Sequence, residues 1–270
     1  MPPSEGARSI EAATRIYRYD AGASGAATAR RIAVETPVEI AFGGAAFAVM
    51  MATPADLEDF AYGFALTEGA VEALEDIRGV EVAAGEDFAR IDIVLAPSRL
   101  SAVLARKRAM TGRTGCGVCG VEDLKHLPSP KPLTHRGPPP SPRAVGAALK
   151  ALESLQPLNA VTRAVHGAAW SDSAGRIAFV REDVGRHNAL DKLIGALLQA
   201  GVDPASGFVI VTSRCSFEMV AKTVAFGAGA LVAMSAPTSL ALRRAEEAGL
   251  ELIAIARADH ATTFAKGEAA

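Results

Sequence analysis

Seven prolines fall between positions 128 and 142: Pro128, Pro130, Pro132, Pro138, Pro139, Pro140 and Pro142. Proline lacks the backbone N–H and fixes φ, so neither a helix interior nor a central strand can run through such a stretch. It divides the 270-residue chain into two blocks, 1–142 and 143–270. A chain of this length buries one large core or two modest ones. A Pro-rich ligand for a recognition module is one meaning of the stretch. A spacer at a domain boundary is the commoner one, and it places the boundary here.

The second block alternates. Ile177 to Arg181 reads as a strand, His187 to Ala200 as a helix, Phe208 to Val211 as a short buried strand and Phe217 to Phe226 as a helix. Leu231 to Met234, a helix over Ser239 to Ala248 and a strand over Leu250 to Ala256 complete the series. Such alternation predicts an α/β layer sandwich with a largely parallel sheet.

The first block reads as a smaller α+β part. Arg31 to Phe42 and Ala45 to Met51 have strand character, with a hairpin turn at Gly43-Gly44. Thr53 and Pro54 predict a helix start, as N-cap and first residue. Leu57, Phe60, Ala61, Phe64 and Ala65 then recur at helical spacing, and Gly69 ends the helix. Phe88 to Leu95 alternates as a strand, and Ser98 to Met110 reads as a helix.

Polar residues gather after the predicted strands of the second block. Arg181 to Asn188, Thr212 to Ser216, Ser235 to Ser239 and Arg257 to His260 each follow one. Ligands of open α/β sheets collect at strand carboxyl ends. Arg186, Arg214 and Ser216 suit phosphate, since guanidinium groups and helix-start donors both favour an anion. The competing reading is that Arg186 and Arg214 pair with Glu182, Asp183 or Glu218 to hold the helix starts.

Two of the three cysteines sit in Thr114-Gly115-Cys116-Gly117-Val118-Cys119-Gly120, and the third is Cys215. Glycine leaves no side-chain wall around the thiols, and Lys107, Arg108 and Arg113 supply charge that favours a thiolate. A zinc site would need a second C-x-x-C or a paired histidine motif, and neither is present, so no metal site is predicted. A thioredoxin-like pair opens a helix after a strand, whereas this motif follows a predicted helix. Sulfur handling by a loop thiol is the reading that fits, with a dithiol redox switch as the alternative.

Half of the residues are hydrophobic and the formal charge is −2, so no basic excess points to nucleic acid. Met1 to Gly6 is polar, and no apolar run reaches the length of a membrane span. With unpaired thiols, these features predict a cytoplasmic protein.

The cysteine run, the block Glu182 to Lys192 and the block Ser213 to Lys222 resemble FdhD, the formate dehydrogenase accessory proteins. Glu35-Thr36-Pro37, the segment Thr53 to Gly69 and Ser235 to Ser239 match as well, in order from about residue 30 to 260. The resemblance implies a sulfurtransferase that takes persulfide sulfur from a cysteine desulfurase on Cys116, with Cys119 assisting. It implies transfer to the bis-guanine-dinucleotide form of the molybdenum cofactor, needed for formate dehydrogenase activity. It also implies a cytoplasmic homodimer with a cytidine-deaminase-like three-layer sandwich. Cofactor binding is carried onto Ile255, Ala256, Arg257, Ala258, Asp259 and His260. Where the family has Thr-Gly-Gly, this chain has Thr162-Arg163-Ala164, shortly before His166.

A zinc deaminase needs H-x-E and P-C-x-x-C, and this chain has neither. A non-catalytic cofactor chaperone is the remaining alternative to a sulfur carrier.

Overall fold

The computed structural model describes residues 8–15, 27–85, 87–108 and 130–265. Cys116 and Cys119 lie outside the described residues, as do Arg113 and Pro128.

The N-terminal elements form two small sheets. Strands β1 (Ser9–Arg15) and β2 (Ala27–Ala33) pair as an antiparallel ribbon. Strands β3 (Thr36–Phe42), β4 (Ala45–Ala52), β5 (Ile77–Ala84) and β6 (Ala89–Leu95) form a sheet in the order β4-β3-β6-β5. Helix α1 (Leu57–Thr67) packs on it, burying Phe60, Ala61, Phe64 and Ala65 with Val38, Ile40, Ile91 and Ile93. Helix α2 (Pro97–Arg108) follows the last of these strands.

Two local expectations are corrected. The stretch from Arg31 to Phe42 is broken between Ala33 and Thr36, and its two parts serve different sheets. Helix α1 begins at Leu57 with Asp56 as N-cap, at a left-handed φ of 52°. Thr53 does not cap it. Its hydroxyl accepts from Val184 N–H at 3.2 Å, and its own N–H donates to Asp183 at 2.9 Å. A local cap has been exchanged for a tertiary contact.

The C-terminal part holds α3 (Pro142–Leu152), α4 (Pro157–Thr162), β7 (His166–Asp172), β8 (Ile177–Asp183), α5 (Arg186–Gln199) and β9 (Gly207–Val211). It continues with α6 (Phe217–Phe226), β10 (Ala230–Ala233), α7 (Ser239–Ala248), β11 (Glu251–Ala254) and β12 (Thr262–Ala265). The six strands lie in the order β12-β11-β10-β9-β7-β8. Residues of α5, α6 and α7 pack on one face with Ala168, Trp170, Val209 and Leu231. Residues of α3 cover the other face with Ala169, Phe208, Ile210 and Val232. The result is a mixed α/β architecture with helices on both sides of the larger sheet.

That sheet is not largely parallel. Only β9–β10 and β10–β11 pair in parallel; β8–β7, β7–β9 and β11–β12 are antiparallel. Two strands of this sheet are absent from the sequence reading, the edge strand β12 and β7, which enters between β8 and β9 in the opposite direction. Its five central residues are buried, so it shows no alternation of polar and apolar positions.

The Pro-rich segment is packed where the structure describes it. Leu133 N–H donates to Ala248 O at 3.0 Å, and Arg136 Nη1 to Gly249 O at 2.6 Å. It lies as an extended strap along the turn between α7 and β11.

The two parts join through α1 and α5. A Cβ on Gly63 would stand 1.8 Å from the Asp191 carbonyl oxygen, and one on Gly195 1.8 Å from that of Asp59. The helix backbones therefore touch, which only glycine at both positions permits.

Candidate functional site

Strand β7 runs against both β8 and β9, so β8 points the same way as β9, β10 and β11. All four polar clusters consequently follow strand ends at one end of the sheet. The amino end of β7 arrives there too, with His166 opposite Asp183 in register.

Backbone bonds stitch these loops into a row. Cys215 N–H donates to Ala236 O at 3.2 Å, and Thr238 N–H to Cys215 O at 3.0 Å. Ile255 N–H reaches Ser235 O at 3.2 Å, and Thr212 N–H reaches Gly167 O at 3.0 Å. Cys215 is fully buried, and burial pushes its thiol up to about 12. It stays protonated at neutral pH and serves as a small core residue.

The carboxylates beside Arg186 and Arg214 are already engaged. Asp183 receives Lys192 Nζ at 2.6 Å, the N–H groups of Thr53 and Gly185, and Asn188 Nδ2. Glu182 accepts the N–H groups of Leu158 and Asn159 at the start of α4, at 2.9 and 2.7 Å. Glu218 accepts the Ser216 hydroxyl at 2.8 Å. His187 Nε2 also lies 3.2 Å from Glu218, within ion-pair range but not aligned for a hydrogen bond. Neither Arg186 nor Arg214 pairs with a carboxylate among the described residues, and Arg186 Nε is buried without a partner. The helix-holding role weighed for these arginines is performed by Lys192, His187 and Ser216 instead.

Charge at this corner is felt by its neighbours. Burial pushes the His166 imidazole below its ordinary value, and Arg186, His187 and Arg214 push it the same way against Asp183. Burial works to raise the Glu218 carboxyl, yet His187 and Ser216 hold it below its usual range.

The segment after β11 is tied to the same row. Ile255 adopts a left-handed φ of 52°, and Ala256 N–H donates to Ala233 O at 3.1 Å. Arg257 Nη1 donates to the Met234 and Ala256 carbonyls, and Arg257 N–H to His260 O. Asp259 Oδ1 contacts His260 Nδ1 at 2.8 Å, both exposed. Ala258 is exposed alongside them. The described structure thus brings Arg186, Arg214, Ser216 and residues 255–260 to one end of the sheet.

Three comparisons with known proteins bear on this arrangement. Residues 33–270 match the model of the FdhD/NarQ family. The chain belongs to the FdhD/NarQ family. A relative in Bordetella petrii named sulfur carrier protein FdhD is 45% identical over 254 residues, covering 94% of this chain and 91% of its own. A protein of the same name in Variovorax paradoxus is 50% identical, covering 84% of this chain and 82% of its own. A crystal structure of a candidate formate dehydrogenase accessory protein from Desulfotalea psychrophila superimposes with a TM-score of 0.75 at 25% identity. That match covers 95% of this chain and 96% of the other.

Within this FdhD/NarQ chain, one departure from the expected Thr-Gly-Gly has a visible backbone consequence. Arg163 closes α4 at a left-handed φ of 56°, its N–H donating to Asn159 O at 2.9 Å. A glycine would adopt that conformation without steric cost.

The sequence names Glu218 only as a pairing partner for the arginines, gives His187 no role of its own, and marks His166 only as a histidine behind the altered glycines. The available signal was proximity: His187 adjoins Arg186, and Glu218 stands two residues beyond Ser216. A second charged knot was also missed. Asp191, fully buried, receives Thr67 Oγ1 at 2.7 Å and Lys222 Nζ at 2.9 Å, and Lys222 also reaches Glu68 at 3.2 Å. It ties the end of α1 to α5 and α6. Among the described residues no group of three His, Cys, Asp or Glu side chains could hold a metal ion, and no helix is long and apolar enough to cross a membrane.

Proposed function

We propose that this chain is a cytoplasmic sulfur carrier for formate dehydrogenase maturation. Cys116 takes sulfane sulfur as a persulfide from a cysteine desulfurase, and Cys119 assists. The sulfur passes to the bis-molybdopterin guanine dinucleotide cofactor, which is substrate here and not a resident group. In this reading residues 143–270 are the deaminase-like unit that receives the acceptor, residues 1–142 carry the sulfur, and the working form is a homodimer.

Family membership supports the sulfur half, because relatives matching across most of the chain are named sulfur carriers. One observation carries the acceptor half: Arg186 and Arg214 stand at the strand ends with every neighbouring carboxylate engaged elsewhere. Two guanidinium groups beside the starts of α5 and α6, unpaired with any carboxylate among the described residues, suit the phosphates of a dinucleotide. Arg186, Arg214 and Ser216 would meet them, and Ile255 to His260 would close the site.

Mass spectrometry after incubation with a desulfurase and cysteine tests the sulfur step. The parent should gain one sulfur atom, Cys116→Ala should gain none, and Cys215→Ala should load normally. Loss of two hydrogens without added sulfur would indicate a dithiol switch, and no change at all a chaperone. GDP titration tests the acceptor half. Arg186→Ala and Arg214→Ala should each weaken binding about tenfold, as for loss of a charge-assisted bond.

A further inference from the structure

His166 is surrounded in a way that a packing role does not require. It is half-buried at the amino end of β7, and no described residue hydrogen-bonds its ring. Asp183 stands opposite it on β8, and the next residue, Gly167, exchanges hydrogen bonds with Thr212, two positions before Arg214. The charges of Arg186 and His187 at the start of α5, and of Arg214 before α6, act on its ring. Two acids border the corner: Asp183, whose oxygens are taken by Lys192, Thr53, Gly185 and Asn188, and Glu218, which holds the Ser216 hydroxyl and lies 3.2 Å from His187. The Arg186 Nε–H is buried and finds no acceptor among the described residues. Among the described residues, two guanidinium groups without a carboxylate partner, an unsatisfied donor and an unbonded imidazole therefore meet at one corner. A buried donor without an acceptor is costly, and an anion would satisfy it.

We propose that this corner is a proton-coupled anion site: a tetrahedral oxyanion held by Arg186 and Arg214 accepts a hydrogen bond from protonated His166, so that binding takes up a proton. Without the anion, burial first, and then Arg186, His187 and Arg214 against Asp183, favour the neutral form of His166. A bound dianion reverses the local field, and the imidazolium form then offers a donor that neutral imidazole offers at only one nitrogen. Because protonation and anion binding are linked, each strengthens the other by the same factor. The site would thus grip phosphate groups more tightly as pH falls toward 6. This inference rests on reading the corner as the phosphate end of the acceptor site.

The test follows the imidazole resonances of the full-length protein, isotopically labelled at histidine, across pH with and without sulfate. Sulfate keeps a fixed charge over this range, so any proton taken up belongs to the protein. His166→Gln identifies the His166 signal among the five histidines. Without sulfate the His166 midpoint should fall below 6.5. Saturating sulfate should raise it by about one pH unit, a tenfold preference for the protonated form. Chloride at equal ionic strength should give a smaller rise, since screening alone weakens the arginines' effect. The double variant Arg186→Gln/Arg214→Gln should lose the sulfate-specific rise. If it does not fold, Arg214→Gln alone, at an exposed position, should diminish it.

An unmoved midpoint, an equal response to chloride, or an undiminished rise in the arginine variant would each overturn the proposal. Its failure is separable from that of the proposed function. GDP binding without a rise at His166 refutes only the proton coupling. A sulfate-dependent rise without GDP binding refutes only the nucleotide reading.

Discussion

Lys192 Nζ lies 2.6 Å from Asp183 Oδ2, and neither side chain has any exposed surface. Lys192 also donates to Thr53 O at 2.8 Å, so the pair locks the start of α5 to the chain before α1. Burial pulls the Lys192 amine below its ordinary value, with Asp183 opposing. Replacing Lys192 by Met strands a buried carboxylate and should cost about 3–5 kcal/mol. Adding Asp183→Asn removes the uncompensated charge and should recover part of that loss. Urea denaturation of both variants checks the order; equal stability of parent and Lys192→Met would show that the pair contributes nothing.

The contact between Gly63 and Gly195 makes the second prediction. Gly195→Ala places a methyl group against Asp59 O and 2.9 Å from Gly63 N, both backbone atoms that cannot swing aside. The helices must separate, at about 3 kcal/mol or more given how far the contact falls below van der Waals distance. Because α5 carries Arg186 and His187, GDP affinity should fall with stability. Thermal melts and GDP titration of the same sample would show both losses, and an unchanged melting temperature would contradict the backbone contact.

Elements with local signals were legible. Helices α6 and α7 fall on Phe217–Phe226 and Ser239–Ala248 as read, because each follows a hydroxyl residue and ends before a glycine in left-handed conformation. Thr53-Pro54 carries the same signal and misleads, since Thr53 spends its polar groups on Val184 and Asp183, residues 131 and 130 positions away. Strand direction has no local signal at all, so the antiparallel β7 was invisible. The strand-end row survived because β8 nevertheless shares the direction of β9. At the site, arginines and hydroxyls stand out by type, but the engagement of Glu182 by the start of α4 depends on contacts that only the fold supplies.

Glu218 gives the pH prediction. Its folded value lies below the 4.5 of an unfolded chain, because His187 and Ser216 outweigh the effect of burial. A depressed carboxyl stabilises the fold above its unfolded value, and that contribution disappears as pH falls through the folded one. Glu218→Gln should therefore be less stable than the parent near neutral pH, by about 1 kcal/mol. The two curves should converge below pH 4.5. A difference that persists undiminished in acid would assign the loss to packing.

Ile255 supplies the final prediction. A β-branched residue at a φ of 52° is strained, yet Ile255 is 39% exposed and fills no core position that would explain its retention. Its conformation turns the chain out of β11 while Ile255 N–H and Ala256 N–H stay bonded to Ser235 O and Ala233 O. Glycine adopts this backbone freely, although it adds about 1 kcal/mol of ordering cost, so Ile255→Gly should be as stable as the parent or slightly more so. If the exposed side chain serves the acceptor site, the same variant should bind GDP several-fold more weakly. Ile255→Val, which keeps a branched apolar surface at the same angle, should retain most of the affinity. Undiminished GDP binding by Ile255→Gly would remove this residue from the site and leave its strain without a functional role.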